Sequence, residues 1–503
     1  MARRRSAARA VDRRGREAAV RRARRDRSDR TPLKEIEEYV RSLGLDAYVV
    51  GGAVRDELLG GDAKDADFLV PGVDIAGLRE LLAPHGRTEE LVVADRPVGV
   101  RFYPADKAIR KRVKAGIEIA PPRREVSTGP GRHDFDIVVD PSATVDEDLG
   151  RRDFTVNAMA KRLSDGKVVD PFKGRDDLKR GVLRTVTPRS FSEDPLRIVR
   201  GLRFVSQLDF ELDEQTLEQM REEAASVALV SGERVGGGLA ADGMGELSKL
   251  LLGKHPAKAL RIARDTGVLV ALLPEFAEAV GFAQESRYHD LTVDEHTFAV
   301  LQAAANAGAS LQVRLAALFH DLGKPRVAWR GADGRLHFYR KPGYSNHNHE
   351  EVSAELATIA LSRLRYPTEV RRRVVAIVRA HMFNVGRADP LRARRMLARY
   401  GDELTFELLD HKEADLRGKR EEVADAPHGE LDKLERFRGV VRRELKSPHR
   451  LGDLAVDGRD LIALGYTPGP HIGRTLRELL KEVVEDPARN DKELLLERAK
   501  ELK

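Results

Sequence analysis

None of the 503 residues is a cysteine, which excludes a disulfide framework, a thiolate zinc site, an iron–sulfur cluster and a cysteine nucleophile. Any metal must then sit on His, Asp or Glu. Aromatic residues are scarce, 5% against 34% charged, a balance that points to helix-rich protein rather than a sandwich of aromatic strands. No apolar run approaches the roughly 20 residues that cross a bilayer, and the N-terminus has no apolar core behind its charges. A membrane span and secretion are both disfavoured, and a cytoplasmic protein is expected. No repeat recurs at a solenoid period. What is present, 41% hydrophobic residues, suffices for several cores, and the length suits two to four domains.

The net charge of +7 is unevenly spread. Residues 1–30 carry thirteen arginines against four acids, which leaves the remaining chain near −2. This stretch has no apolar periodicity and reads as a solvated, disordered arm. It is either a solubilising extension or a sequence-independent RNA grip, since clustered arginine neutralises phosphate.

Globular patterning starts at Thr31, with an amphipathic helix over Leu33 to Leu43 and a β-prone run, Tyr48 to Val50, that stops at Gly51-Gly52. Further short strands are predicted at Phe68 to Val70, Leu91 to Val93, Val98 to Phe102, Ile117 to Ile119 and Phe135 to Val139, forming a small mixed sheet. Beyond about Arg151 strand signals nearly vanish, and Ala, Leu, Arg and Glu recur at helical spacing. The expectation is an α+β multidomain chain: the arm at 1–30, an α/β head at 31–180, a helical neck and body at 181–285, a further helical domain at 286–425, and a helical tail at 426–503. Gly236 to Gly245 and Trp329 to Asn348 read as loops.

Asp65 and Asp67 stand two apart at the start of a strand-like run, so their carboxylates share a face and suit a divalent cation. Glu118, between Ile117 and Ile119, offers a third carboxylate from a neighbouring strand, with Asp136 in reserve. Such a trio could hold two metals about 4 Å apart. Upstream, Gly51 and Gly52 let phosphate oxygens approach the backbone, with Arg55 and Asp56 on the next turn. Asp153 and Asn157 are four apart beside Arg152, so a helix over them would present all three polar groups together. Asp194 and Arg197, three apart, could match the Watson–Crick edge of a base.

The run YVVGGAVRDELLGGDAKDAD at 48–67, followed by RRDFTVNAMA at 151–160 and DPLRIVRGLRF at 194–204, resembles the nucleotidyltransferase family of class II CCA-adding enzymes and bacterial poly(A) polymerases. That resemblance implies a polymerase beta-like head with magnesium at Asp65 and Asp67, and Glu118 as third carboxylate. It also implies triphosphate contacts from Gly51, Gly52 and Arg55, and ribose and phosphate contacts from Arg152, Asp153 and Asn157. Asp194 and Arg197 would act, with Arg200 beside them, as a protein template that selects CTP and then ATP.

A second constellation lies downstream. An apolar run, Val313 to Phe319, ends at His320-Asp321, with His296 upstream and His349, His381 and Asp415 downstream. This order resembles the HD phosphohydrolase superfamily, and such a ligand set suits manganese, nickel, iron or magnesium. His347 competes with His349, which is preferred because HEEVSAELA resembles that superfamily's histidine-headed helix. His289 and His337 read as ordinary surface or core residues.

The tail, with DGRDLIALGYTPGPHIG and PARNDKELL, resembles the C-terminal helices of bacterial CCA-adding enzymes that carry an HD domain. The departures are the arginine-rich arm and ERVGGGLAADGMGELSK at 233–249, where that family more often has a charged helix. The resemblance implies a template-independent tRNA nucleotidyltransferase that adds CCA, CC or A alone from CTP and ATP and releases pyrophosphate. Poly(A) polymerase, an HD phosphohydrolase with an inherited head, and a non-catalytic RNA-binding protein are the alternatives. Oligomeric state stays open.

Overall fold

The computed structural model describes residues 32–61, 67–93, 96–127, 135–237, 243–285, 291–332, 334–339, 348–419 and 429–503. The arginine-rich arm, Asp65, His289 and His347 lie outside the described residues. The chain divides into two compact units, one of residues 1–197 and 210–223 and the other of residues 198–209 and 224–503.

The first unit is built on a sheet of β1 (Tyr48–Val50), β2 (Asp67–Leu69), β3 (Gly86–Val93), β4 (Arg96–Pro104) and β5 (Ile117–Ala120). β6 (Arg123–Ser127) and β7 (Phe135–Val139) form a separate hairpin, while β8 (Ala160–Arg162) and β9 (Val168–Val169) return to the main sheet. Its order is β3-β4-β5-β2-β1-β8-β9, with β2 and β5 parallel and its other pairs antiparallel. This is the mixed sheet expected, except that Phe135–Val139, expected in it, pairs with β6 in the separate hairpin. β1 is buried at all three positions, as a central strand should be. β5 alternates, with Ile117 and Ile119 buried and Glu118 exposed, so one face feeds the core and the other carries the carboxylate.

Two further expectations need correction. Strand does not end near Arg151, because β8 lies antiparallel on β1 and β9 follows it. Strands of two or three residues are too short to show a period-two pattern. Nor do residues 153–157 form an α-helix: Phe154 is extended and bridges Thr185, and Thr155–Asn157 is a single 3-10 turn. β-Branched Thr155 and Val156 disfavour helix, and Gly174 packs so closely on the Thr155 carbonyl that a Cβ would sit 2.1 Å from it.

A short parallel pair, β10 (Val182–Leu183) with β11 (Glu211–Leu212), completes the first unit. Among the described residues the second is helical, apart from the hairpin of β12 (Trp329–Arg330) and β13 (Leu336–His337), which lies in the stretch Trp329 to Asn348 expected as a loop. Its glycine-rich run forms a π-turn at Glu233–Gly237 in place of a continuous helix. Gly237 N donates to the Leu364 carbonyl at 3.1 Å, so two backbones meet where side chains would prevent it. A Cβ on Gly236 would stand 2.5 Å from the Tyr366 ring and 2.7 Å from the Leu364 carbonyl. Gly236→Ala is therefore expected to cost about 1–3 kcal/mol, read as a lower midpoint in thermal or urea unfolding. An unchanged midpoint would show that this contact can yield.

The tail folds around its own core, in which Leu461, Leu479, Val483 and Leu495 are buried and Tyr466 Oη donates to the Ala499 carbonyl at 2.6 Å. Among the described residues no helix is long and apolar enough to cross a membrane.

Candidate functional sites: a carboxylate and arginine cradle and a histidine–aspartate centre

In the head, strand register decides which carboxylates can meet. Asp67 is the Cα partner of Val50 on β1 and of Glu118 on β5, so Asp67 and Glu118 are neighbours on adjacent strands, and both are exposed. In-register residues of paired strands project to the same face. Asp136 belongs to the separate β6–β7 hairpin, leaving Glu118 as the sheet's partner for Asp67. Arg101 Nη2 donates to Glu118 Oε1 at 2.7 Å across half-exposed side chains. Such a surface pair contributes about 0.5 kcal/mol, a weak claim on Glu118.

One residue beyond Val50, Gly51 adopts φ 72°, ψ −131°, a left-handed φ that favours glycine. A Cβ there would lie 2.5 Å from Arg152 Nη1, so the guanidinium rests directly over the glycine. Arg55 Nη1 donates to Asn157 Oδ1 at 2.7 Å, and Asn157 Nδ2 donates to Asp153 Oδ1 at 3.0 Å. Gly51, Arg55, Arg152, Asp153 and Asn157 thus converge, although the helix invoked to align the last three is absent. The helix after Gly51 has seven residues, Gly52–Leu58, and the cations beside it are Arg55 and Arg152.

Sequence reasoning missed Asp148. Its carboxylate is 1% exposed and faces Arg152 at 3.4 Å, Arg151 at 3.7 Å and Arg123 Nε at 3.7 Å. The signal was its spacing of four from Arg152. Asp194 closes the short helix Ser190–Glu193, and its Oδ1 accepts from Leu196 N at 3.2 Å. Arg197 donates to the carbonyls of Ser190 and Arg151 and to Glu193 at 3.0 Å. Its link to the Arg151 carbonyl joins the second motif to the third. Arg200, one turn further along the helix Leu196–Leu208, belongs to the other unit and faces Glu246 at 3.6 Å.

The histidine–aspartate centre lies within the second unit. His296 comes from the helix Val293–Asn306, His320 and His381 cap the helices Leu311–Phe319 and Thr368–Ala380, His349 begins His349–Arg363, and Asp415 lies on Asp402–Arg417. All six ligand candidates, Asp321 included, are buried. Each imidazole spends Nδ1 on a backbone carbonyl: His296 on Gly418 at 3.2 Å, His320 on Ala317 at 2.9 Å, His349 on Phe338 at 2.9 Å and His381 on Val378 at 2.7 Å. A carbonyl only accepts, so each Nδ1 carries the proton and each Nε2 presents a lone pair inward.

Those lone pairs face carboxylate oxygens. Asp321 Oδ2 is 3.5 Å from His296 Nε2 and 3.2 Å from His320 Nε2, while Oδ1 is 3.5 Å from His349 Nε2 and 3.8 Å from His381 Nε2. Asp415 Oδ1 is 3.3 Å from His296 Nε2. The six fall into two triplets, His296, His320, Asp415 and Asp321, His349, His381, with the Asp321 carboxylate facing both. Converging lone pairs repel unless a cation stands between them, so the donor set fits divalent metal.

Protonation matches that reading. Burial lowers His296 and His349 and, reinforced by neighbouring histidines, holds His381 well below the usual imidazole range. Burial alone would raise Asp321 and Asp415, but the ammonium groups beside them, Lys324 at Asp321 and Lys419 at Asp415, help to hold both well below the usual carboxylate range. Neutral imidazoles and ionised carboxylates are the metal-binding forms. Lys324 Nζ lies 2.6 Å from Asp321 Oδ2, and Lys419 Nζ 2.9 Å from Asp415 Oδ2.

His411 was also missed. It is fully buried, its ring stands 5.2 Å from His320 and 5.8 Å from His381, and neither nitrogen has a hydrogen-bond partner. Burial pushes it down to about 3. Its spacing of four from Asp415 was the available signal.

These features define a polymerase-type head followed by a histidine–aspartate domain. Family comparison agrees: residues 47–184 match the poly A polymerase head domain, 209–280 the RNA and SrmB binding site of polymerase A, 293–417 the HD domain, and 442–499 tRNA nucleotidyltransferase domain 2. The multifunctional CCA protein of Nitrosococcus oceani is 33% identical over 84% of this chain and 93% of its own length. This chain belongs to the family of multifunctional CCA proteins. That of Neisseria gonorrhoeae is 40% identical over 287 residues, which are 56% of this chain and 63% of the relative. The fold is similar to that of the Bacillus stearothermophilus CCA-adding enzyme in complex with CTP, with TM-score 0.62 and 24% identity over 94% of this chain and 98% of the other. It is also similar to the Thermotoga maritima CCA-adding enzyme complexed with tRNA, with TM-score 0.52, 21% identity and 92% coverage of each.

Proposed function

We propose that this chain is a template-independent tRNA nucleotidyltransferase that adds CCA, or part of it, from CTP and ATP and releases pyrophosphate. The observation that carries this reading is the register Val50–Asp67–Glu118, which sets two carboxylates beside the Gly51 cradle. Magnesium held at Asp65, Asp67 and Glu118 would neutralise the triphosphate and acidify the tRNA 3′ hydroxyl. Gly51, Gly52, Arg55 and Arg152 hold the phosphates, Asp153 and Asn157 orient the ribose, and Asp194, Arg197 and Arg200 select the base. The hydroxyl then attacks the α-phosphorus in line. Membership of the family of multifunctional CCA proteins, and the likeness in fold to CCA-adding enzymes in complex with CTP and with tRNA, support this choice over poly(A) synthesis. We assign the activity to the cytoplasm, where its proposed substrate matures.

Purified protein incubated with tRNA transcripts ending before C74 or after C75, with labelled CTP or ATP, should extend each by one to three nucleotides. Long A tracts on unrelated RNA would instead identify a poly(A) polymerase.

The histidine–aspartate centre favours a second activity, hydrolysis of phosphoesters in the HD domain with manganese, nickel or magnesium. Its support is the four inward Nε2 atoms arranged around Asp321.

A further inference from the structure

The helix Val145–Gly150 opens on a capping box between Thr144 and Glu147 and buries two adjacent side chains, Asp148 and Leu149. Leu149 packs into the core that Tyr48 and Val50 of β1 share with Leu69 of β2. The helix is therefore fixed to the strands that set Asp67 beside the Gly51 cradle. Asp148 turns to charge instead. A carboxylate taken out of water persists only where cations and donors replace its hydration, and this one has both. Its Oδ1 accepts from Arg123 N at 3.2 Å, its Oδ2 accepts from Arg152 Nη2 at 3.4 Å, and Arg151 Nη2 lies 3.7 Å from Oδ1.

The Arg152 guanidinium is thereby defined at both ends. Nη2 is tied to Asp148, and Nη1 stands 2.5 Å from where a Cβ on Gly51 would be. Because the group is planar and rigid, holding one nitrogen aims the other. A free arginine loses rotamer freedom when it meets a phosphate, whereas here the fold has already selected the orientation. Charge remains for an anion, since Asp148 is shared with Arg151 and Arg123 and is the only carboxylate paired with Arg152 among the described residues. At 1% exposure Asp148 does not itself meet a substrate, so any part it has in the reaction runs through the arginine.

We propose that Asp148 is a positioning residue for nucleotide binding, holding Arg152 over Gly51 where the phosphates common to CTP and ATP are received. This rests on the nucleotidyltransferase reading above and adds to it a residue that acts on the substrate through another side chain.

Steady-state incorporation into tRNA transcripts gives kcat and KM for CTP and for ATP, and thermal unfolding of the same full-length samples reports the fold. Asp148→Asn keeps the size and one acceptor oxygen but removes the charge. KM should rise roughly 10-fold for each nucleotide that wild type incorporates, the effect of one lost charge-assisted hydrogen bond, with kcat within about threefold, the pattern of a lost ground-state contact. A carboxylate that only supported the fold would give the reverse, a lower kcat from an inactive fraction at unchanged KM. Asp148→Glu keeps the charge and displaces it by one methylene, so a folded Glu variant should also raise KM if the Asn variant does not fold. Arg152→Lys cannot span both positions with one ammonium and should raise KM by itself. Adding Asp148→Asn to it should change KM less than about twofold further, because both substitutions break the same contact. Wild-type KM in a folded Asp148 variant, a rise confined to one of two incorporated nucleotides, or full additivity in the double variant overturns the positioning role. Wild type that incorporates neither nucleotide sinks the nucleotidyltransferase reading itself.

Discussion

Asp67→Ala is expected to lower nucleotide incorporation at least about 1,000-fold, equivalent to roughly 4 kcal/mol of lost transition-state stabilisation, while tRNA binding stays within a few-fold of wild type. The asymmetry follows from where the residue sits. Asp67 is exposed at the start of β2, whereas the adjoining Phe68 and Leu69 are buried and hold the strand in the sheet. Removing the carboxylate takes a ligand from the proposed magnesium site without opening a cavity, so folding should be little affected. Primer extension on a tRNA transcript measures the first effect and a gel-shift titration the second. Incorporation retained within tenfold would remove Asp67, and with it the β2–β5 carboxylate pair, from the mechanism.

The second large effect belongs to Asp321. Its carboxylate is 2% exposed and faces four imidazole nitrogens and the Lys324 ammonium. Asp321→Ala should reduce the manganese or nickel kept after dialysis to below about a tenth of wild type, because one triplet loses a member and the other the carboxylate that faces it. The metal-free variant should also be destabilised by about 3–5 kcal/mol, since Lys324 is left as a buried charge without its carboxylate. Elemental analysis and denaturant unfolding read the two effects separately. Full metal retention would mean that the remaining residues suffice and that Asp321 is not the bridge between them.

Much of this was legible because motifs carry chemistry in fixed order. The glycine pair before a helix, the carboxylate at the head of a strand and the His-Asp pair at the end of an apolar helix each depend on contacts within four residues, where periodicity is informative. The helix that starts at His349, with Asn348 and Glu351 forming its capping box, was readable for the same reason. Residues 153–157 failed the same logic: a spacing of four suggested a helical face, but β-branched residues and the close approach of Gly174 impose an extended residue and a 3-10 turn. Asp153 and Asn157 still meet, through a hydrogen bond that the local pattern did not require.

Asp148 and His411 illustrate the other limit. Each had a helical spacing to a recognised residue, yet nothing local marked either as buried. Their burial comes from elements far away in sequence: Asp148 faces Arg123 from the β6 strand, and His411 is enclosed by His320 and His381 from two other helices.

From its residues alone, this chain was bound to be rich in helix, to place any metal on imidazole and carboxylate, and to carry two separated sets of such groups. Which of those groups meet was settled only by packing. Arg55 reaches Asn157 across 102 positions, and His296 reaches the Gly418 carbonyl across 122. Side-chain spacing governs contacts within one or two turns, whereas strand register and helix docking select the partners beyond that range.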